Sequence, residues 1–296
     1  MKNNIILHIN YLEVAGGSFG KRSIDDVCKF AADLGYNGIE FRGDAPKDLN
    51  LSFREYAEQI AKGKKKHGLN EILFSIGMDN CTNPDKSVRD AMIANVLEKA
   101  AIAREVCETN VCNTSTNWIA SPDKSIPGDR YHCHGSVVAT ENDWAMTTEA
   151  YQQLSAGLEK IGIKFAFETH MGYIHDLPAT AKKLVDMIGS PAVGINLDYG
   201  NTVYFPVRPS LEEAIDQCGD KLYHLHLKNS VWVPGTEHRL ATSLGEGEIN
   251  HRAYLDKLVS IGYTGTISIE APRPGDRPSF AKEDIAYLRD VLADFS

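Results

Sequence analysis

The sequence predicts an α/β protein of the (β/α)8 barrel class, with a single domain over residues 1–296. Short apolar runs alternate with amphipathic helical stretches along the whole chain, which is typical of parallel strands joined by right-handed crossovers. Eight such repeats in a chain of 296 residues favour closure into a barrel over an open sheet. The predicted strands are residues 5–10, 38–42, 72–77, 110–114, 164–170, 193–198, 222–229 and 266–270.

The helices between these strands have recognisable ends. Three are predicted to begin with a capping box, in which a serine and an acidic residue three positions later each bond the other's backbone amide. These pairs are Ser23 with Asp26, Ser52 with Glu55, and Ser210 with Glu213. Several helices are predicted to end at a glycine, because glycine readily adopts the left-handed conformation that terminates a helix. These glycines are Gly35, Gly68, Gly162 and Gly189.

Each later strand has one aliphatic face and one small or polar face. In the strand at 193–198, for example, Val193, Ile195 and Leu197 alternate with Asn196 and Asp198. In a barrel, the aliphatic face is expected to pack under the outer helices and the polar face to line the lumen.

Composition limits the function. An apolar content of 43% supports a sizeable core, and a net charge of -9 argues against nucleic acid as the main partner. The six cysteines lie far apart, without the paired spacing of a disulfide framework, which favours reduced thiols in a cytoplasmic protein. No apolar run approaches the roughly 18 residues needed to cross a membrane. The expected partner is therefore a small neutral or weakly charged ligand.

Four consecutive predicted strands, the fifth to the eighth, end in a potential metal ligand. These ligands are Glu168, Asp198, His226 and Glu270. Because the carboxyl ends of barrel strands converge, we expect the four side chains to surround one ion. Three carboxylates and one imidazole favour Mn²⁺, with Mg²⁺ or Co²⁺ as alternatives. His224 is the alternative histidine ligand, but His226 is preferred because it lies nearer the barrel mouth.

Further polar residues are predicted to line the substrate pocket. They are His8, Glu40, His134, His170, Asn201, Lys228 and Arg239. Two alternatives stay open: Glu40 and Arg42 pair with each other inside the barrel, and Arg239 and Arg273 are ordinary surface arginines. The long stretch at about 117–143 is rich in aromatic residues and is predicted to form a lid or wall over the mouth.

Five segments of the chain, FETHMG, INLDYGN, YHLHLKN, LGEGEIN and ISIEAPRP, resemble the xylose-isomerase-like TIM barrel superfamily of sugar phosphate isomerases and epimerases. The resemblance covers essentially the whole chain. It implies that Glu168, Asp198, His226 and Glu270 bind the ion, and that Glu168 and Glu270 act as a base and acid pair on opposite sides of the substrate carbon. It also implies a homo-oligomer.

Two motifs of related branches are missing. Ketose epimerases of the family carry D-x-x-H on the sixth strand, whereas Asp198 is followed three residues later by Asn201. The endonuclease IV branch needs that histidine and a D-x-H pair before its G-E-G turn. Neither is found in this chain, which argues against a DNA-repair role.

The sequence thus predicts a metal-dependent isomerase or epimerase that removes a proton next to a carbonyl. The metal is expected to stabilise the enediolate that develops. One alternative is a metal-dependent dehydratase or lyase, similar to inosose and dehydroshikimate dehydratases or to enzymes that cleave an oxidised glycoside. The other is a non-catalytic sugar-binding barrel.

Overall fold

A computed structural model describes residues 3–14, 17–236 and 238–295. Its strands are β1 (Ile5–His8), β2 (Gly38–Arg42), β3 (Glu71–Ser75), β4 (Val111–Thr114), β5 (Lys164–Glu168), β6 (Val193–Asp198), β7 (Leu222–Leu227), β8 (Asn229–Trp232), β9 (Arg239–Thr242) and β10 (Thr266–Ile269). A closed barrel is formed by the strands in the order β1, β10, β7, β6, β5, β4, β3, β2. The predicted (β/α)8 TIM barrel fold is confirmed.

The helices are α1 (Ile24–Leu34), α2 (Phe53–His67), α3 (Lys86–Cys107), α4 (Glu141–Ile161), α5 (Pro178–Ile188), α6 (Tyr199–Thr202), α7 (Leu211–Cys218), α8 (His251–Ser260) and α9 (Arg277–Ala293). All three predicted capping boxes are present, at the starts of α1, α2 and α7. The four predicted glycines end α1, α2, α4 and α5 with φ between 71 and 83°. Within the three described ranges, no helix is both long and apolar enough to span a bilayer.

The chain divides into two compact units, and residues 1–73 with 225–296 make up the first. Here β1 pairs in parallel with both β10 and β2, so that Leu7 is aligned with Ile269 on one side and Ile39 on the other. All three side chains are fully buried. This pairing aligns His8, the last residue of β1, with Glu40 in the middle of β2, and Glu270 directly follows β10.

Residues 74–224 make up the second unit. Here β5 pairs in parallel with β4 and β6, and Phe167 is aligned with Thr114 and Ile195. All six residues of β6 are buried, including the polar Asn196 and Asp198. The long loop after β4 contains two 3-10 turns, Tyr131–Cys133 and Gly135–Val137, before α4 begins.

An antiparallel hairpin of β8 and β9 follows β7 and was not predicted. The buried Asn229 holds the segment after it: its Nδ2 donates to the carbonyl oxygens of Leu244 at 3.1 Å and Ile249 at 2.9 Å, and its Oδ1 accepts from Ile249 N at 3.0 Å. A Cβ on Gly247, where φ is 148°, would lie 2.3 Å from the Asn229 side chain. Gly247 therefore shapes this turn.

Two buried histidines are expected to make the fold sensitive to acid. Burial lowers the pKa of His175 and of His251 to about 4, whereas the unfolded chain takes up these protons near pH 6.5. The free energy of unfolding should therefore fall as pH decreases from about 6.5 to about 4, by about 3 kcal/mol for each histidine.

Urea unfolding at a series of pH values measures this effect. The His251→Phe variant keeps a ring that can stack on Tyr254 and should lose about half of the pH dependence. A variant with the full wild-type dependence would show that His251 does not contribute.

Candidate functional site

In the second unit, the last residues of β5 and β6 are the predicted ligands Glu168 and Asp198, which offer donor atoms within 4.8 Å of each other. Glu168 Oε2 accepts from Asn113 Nδ2 at 3.0 Å, and its Oε1 accepts from Asn201 Nδ2 at 3.1 Å. Asn201 also donates its backbone N–H to Asp198 Oδ1 at 3.2 Å. Asn201, predicted to bind substrate, thus contacts both predicted ligands.

A chain of buried amides orients Glu168. Asn196 Nδ2 donates to Asn113 Oδ1 at 3.0 Å, so the amide group of Asn113 is left to donate to Glu168. Both asparagines are buried, at 0% and 5% exposure. Because an ionised carboxylate accepts at both oxygens, this arrangement suits an ionised Glu168. Asn113 was not predicted to belong to the site, and Asn196 was predicted only to lie on the polar face of its strand. The sequence signal for both is a polar residue on the lumen face of a buried strand.

In the first unit, His226 on β7 faces Glu270, which directly follows β10. The two atoms that meet are His226 Nδ1 and Glu270 Oε2, 3.0 Å apart. Asn10 Nδ2 donates to Glu270 Oε1 at 3.1 Å, and Lys228 Nζ donates to Oε2 at 3.3 Å. Burial raises the pKa of Glu270, but electrostatic interactions with Lys228, His8 and His226 lower it further, so that its pKa lies well below the usual range. Glu270 is therefore ionised at neutral pH.

Glu40 holds the other side of the His226 ring. Its two carboxylate oxygens lie 3.1 and 2.9 Å from His226 Nε2. Because a carboxylate only accepts, Nε2 carries a proton, and Nδ1, which faces Glu270, is the ring nitrogen that could bind a cation once it is deprotonated. Metal-binding histidines are commonly oriented in this way. This contact gives Glu40 a positioning role for His226, and its predicted contact with substrate stays a prediction. Arg42 is exposed and binds Glu13 at 2.9 Å.

Removing the Glu40 carboxylate is expected to weaken metal binding. The Glu40→Gln variant keeps an oxygen that can accept from His226 and should bind Mn²⁺ about 10-fold more weakly, whereas Glu40→Leu should bind it about 100-fold more weakly. Competition against a fluorescent chelator measures both affinities. Glu13→Gln, which removes a carboxylate that binds Arg42, is the control and should bind Mn²⁺ like the wild type. Wild-type affinity in Glu40→Leu would contradict the positioning role.

Three other predicted residues lie beside the ligands. His8 is 1% exposed, its Nε2 is 3.8 Å from Glu270 Oε1, and burial lowers its pKa, so that it is neutral at pH 7. Lys228 has 22% of its side chain exposed next to Glu270. His170, two residues beyond Glu168, is partly exposed and places Nδ1 3.0 Å from Met171 O. Lys228 and His170 are therefore both partly exposed.

Two predicted substrate contacts are corrected, because their polar atoms are used inside the protein. His134 is 3% exposed; its Nδ1 accepts from Ser121 N at 2.9 Å and its Nε2 lies 3.0 Å from Pro127 O, so it fixes the loop after β4. Arg239 donates from Nε to Ser230 Oγ at 2.8 Å and from Nη2 to Glu248 at 2.5 Å, so it ties together the hairpin and the turn after it.

The donor chemistry of these residues fits a divalent cation. An octahedral ion with bonds of about 2.1 Å places adjacent ligand atoms about 3.0 Å apart, which is the separation of His226 Nδ1 and Glu270 Oε2, 3.0 Å. A donor atom of Glu40 also lies within 4.8 Å of a donor atom of His226. Carboxylates with imidazole make a hard ligand set that favours Mn²⁺ or Mg²⁺.

Residues 28–291 match the family model of the xylose isomerase-like TIM barrel, and the chain belongs to this family. A curated relative is the inosose dehydratase of Mesomycoplasma hyopneumoniae strain J, which is 22% identical over 299 residues that cover 93% of this chain and 90% of the relative. The family resemblance inferred from the motifs is confirmed.

Two solved structures share the fold. A D-psicose 3-epimerase structure matches with a TM-score of 0.74 and 19% identity, over 98% of this chain and 99% of the other. The probable 3-DHS dehydratase of Bacillus anthracis matches with a TM-score of 0.75 and 18% identity, over 97% of this chain and 98% of the other. Epimerases and dehydratases are therefore both found among the proteins to which this chain is similar.

Proposed function

We propose that this protein is a divalent-metal-dependent isomerase or epimerase that removes a proton next to the carbonyl of a small sugar or polyol. Glu168, Asp198, His226 and Glu270 are proposed to hold one ion, Mn²⁺ before Mg²⁺ or Co²⁺. The observation that carries this proposal is the strand order, because β5, β6, β7 and β10, which bear or directly precede the four donors, are consecutive in the closed barrel. Carboxyl ends of neighbouring barrel strands converge on one site.

A divalent ion, when bound, would polarise the substrate carbonyl and make the adjacent C–H bond more acidic. The protein's own groups then move the proton. One of the carboxylates Glu168 and Glu270 takes the proton while the C–H electron pair passes to the carbonyl oxygen, giving an enolate. The other glutamate, which must first take up a proton from solvent, returns that proton to the opposite face, which inverts the carbon. Lys228, beside Glu270, is placed to stabilise negative charge on the substrate oxygen.

Dehydration is the second candidate. It begins with the same proton removal, but the enolate electrons then expel a hydroxyl group from the next carbon, and that group leaves as water after protonation. Two observations favour it. The relative matched over 93% of this chain is an inosose dehydratase, and the histidine of the ketose epimerase motif is replaced by Asn201, which cannot exchange a proton at neutral pH.

Metal analysis of the purified protein, followed by incubation with ketoses and keto-inositols in D₂O with Mn²⁺, tests the proposal. Proton NMR reports deuterium uptake next to the carbonyl. Inverted products identify an epimerase, a rearranged carbonyl identifies an isomerase, and loss of water identifies a dehydratase. Binding of these compounds without any deuterium uptake would reject the proposal in favour of a sugar-binding barrel.

A further inference from the structure

We infer that the substrate is an uncharged polyhydroxy ketone and that the site rejects its phosphate esters. The inference rests on the proposed function and concerns the first unit. In (β/α)8 barrels a phosphate group is frequently held by the loops after the seventh and eighth barrel strands and by a helix N-terminus nearby. In this chain those loops are residues 228–250, after β7, and residues 270–276, after β10.

The first of these loops contains one arginine, Arg239, and its charge is already matched. Its guanidinium donates to Ser230 Oγ at 2.8 Å, to Ser230 O at 3.2 Å and to the Glu248 carboxylate at 2.5 Å. It also lies over the Trp232 ring, 4.7 Å from the centroid, and its side chain is fully buried. A phosphate group could reach this guanidinium only by displacing Glu248.

The second loop likewise contains one arginine, Arg273, which is bound to helix α9. Its Nη1 donates to Asp284 Oδ2 at 2.8 Å and to Ala271 O at 3.0 Å. Asp284 has no exposed side-chain surface and also accepts from Tyr11 OH at 2.6 Å and Leu244 N at 3.0 Å. This buried ion pair supports the loops and leaves the guanidinium committed to Asp284.

Side chains also fill the N-termini of the two helices that follow these loops. The N-cap of α9 is Asp276, whose Oδ1 accepts from Ser279 N at 3.3 Å. A carboxylate therefore stands where a phosphate would otherwise gain from the helix dipole. The N-cap of α8 is Asn250, whose Oδ1 accepts from Ala253 N at 3.1 Å.

One more cation at a strand end of the first unit, Arg42, is paired with Glu13, and the partly exposed Lys228 lies 3.3 Å from Glu270. A phosphate ester, with a charge of about -1.5 to -2 at pH 7, would have to lie near these carboxylates in a chain of net charge -9. Repulsion between like charges acts against binding of the phosphate ester. The hydroxyl groups of a neutral sugar, in contrast, bond to carboxylates and amides alike.

The turnover test compares each neutral ketose with its own phosphate ester, for example D-fructose with D-fructose 6-phosphate, by deuterium uptake in the Mn²⁺-loaded protein. The neutral compound should have a kcat/KM at least about 100-fold higher. Equal or faster uptake into the ester would overturn the inference and leave the proposed function standing. No uptake into any compound would reject the proposed function instead, and the binding test would then decide the inference alone.

The binding test measures the affinity of inorganic phosphate by calorimetry, with Mn²⁺ at the same saturation in every sample. The Glu248→Gln variant uncovers the charge of Arg239 and should bind phosphate about 10-fold more tightly than the wild type. Glu246→Gln removes the same charge from the same turn, where Glu246 bonds Ser243 and not Arg239, and should bind like the wild type. Wild-type phosphate binding as tight as that of Glu248→Gln would overturn the inference.

Discussion

Replacing Glu270 with glutamine is expected to lower the rate of deuterium uptake into the substrate by about 1,000-fold, and Glu168→Gln is expected to do the same. Each change keeps the size of the side chain and removes the negative charge that takes the proton. Glu270→Gln is the stricter test of the two, because Lys228 and His8 lie beside Glu270 and are unchanged when the carboxylate is replaced by an amide. NMR of a processed ketose or keto-inositol in D₂O measures the rate.

Loss of metal has to be separated from loss of the base. Uptake is therefore measured at several Mn²⁺ concentrations up to saturation, and metal content is determined for each sample. Glu283→Gln, a charge removal on the surface of α9, is the matched control and should retain the wild-type rate. A Glu270→Gln protein that carries a full complement of metal and reacts at the wild-type rate would rule out Glu270 as an acid or base.

The second large effect is expected on stability. Asp284→Asn should lower the free energy of unfolding by about 3 kcal/mol, because it leaves the charge of the largely buried Arg273 without its main partner. The same carboxylate accepts from Tyr11 OH and Leu244 N. The substitution therefore removes the charged acceptor that joins the segments of Tyr11, Leu244 and Arg273. Urea unfolding followed by circular dichroism gives the change.

Glu283 again offers the control, because it is the other carboxylate near Arg273. It lies 3.4 Å from the guanidinium, and 58% of its side chain is exposed. Glu283→Gln should therefore cost less than about 1 kcal/mol. Equal effects of the two substitutions would show that burial of the Asp284 pair does not matter for stability.

Much of the barrel could be predicted because its determinants are local. The strands at 38–42 and 193–198 have the predicted ends, since an apolar run and its flanking residues set both limits. β1 is shorter than predicted, because Ile9–Tyr11 forms a 3-10 helix that begins where the His8 side chain accepts from Asn10 N. The hairpin of β8 and β9 was missed because its strands are four residues each, with Pro234 and Gly235 between them.

The predicted donors could be found because each one stands at the end of a recognisable strand. The partner of each donor could not be found in this way. Glu40 and His226 are 186 residues apart in the chain, and no local pattern connects them. His134 illustrates the opposite error: a histidine in a long aromatic loop has the composition of a ligand-binding residue, but its bonds to Ser121 and Pro127 depend on how the loop folds back on itself.

The pairing of β1 with β10 has a consequence for biosynthesis. Ile5 is aligned with Ile267, and Asn10, which bonds Glu270, is 260 residues away from it in the chain. A ribosome must therefore release the whole segment from β1 to β10 before β1 can find its second neighbour, and contacts between such distant segments form slowly. Until then, β1 has an unpaired edge that is open to aggregation, and Glu270 has yet to be synthesised.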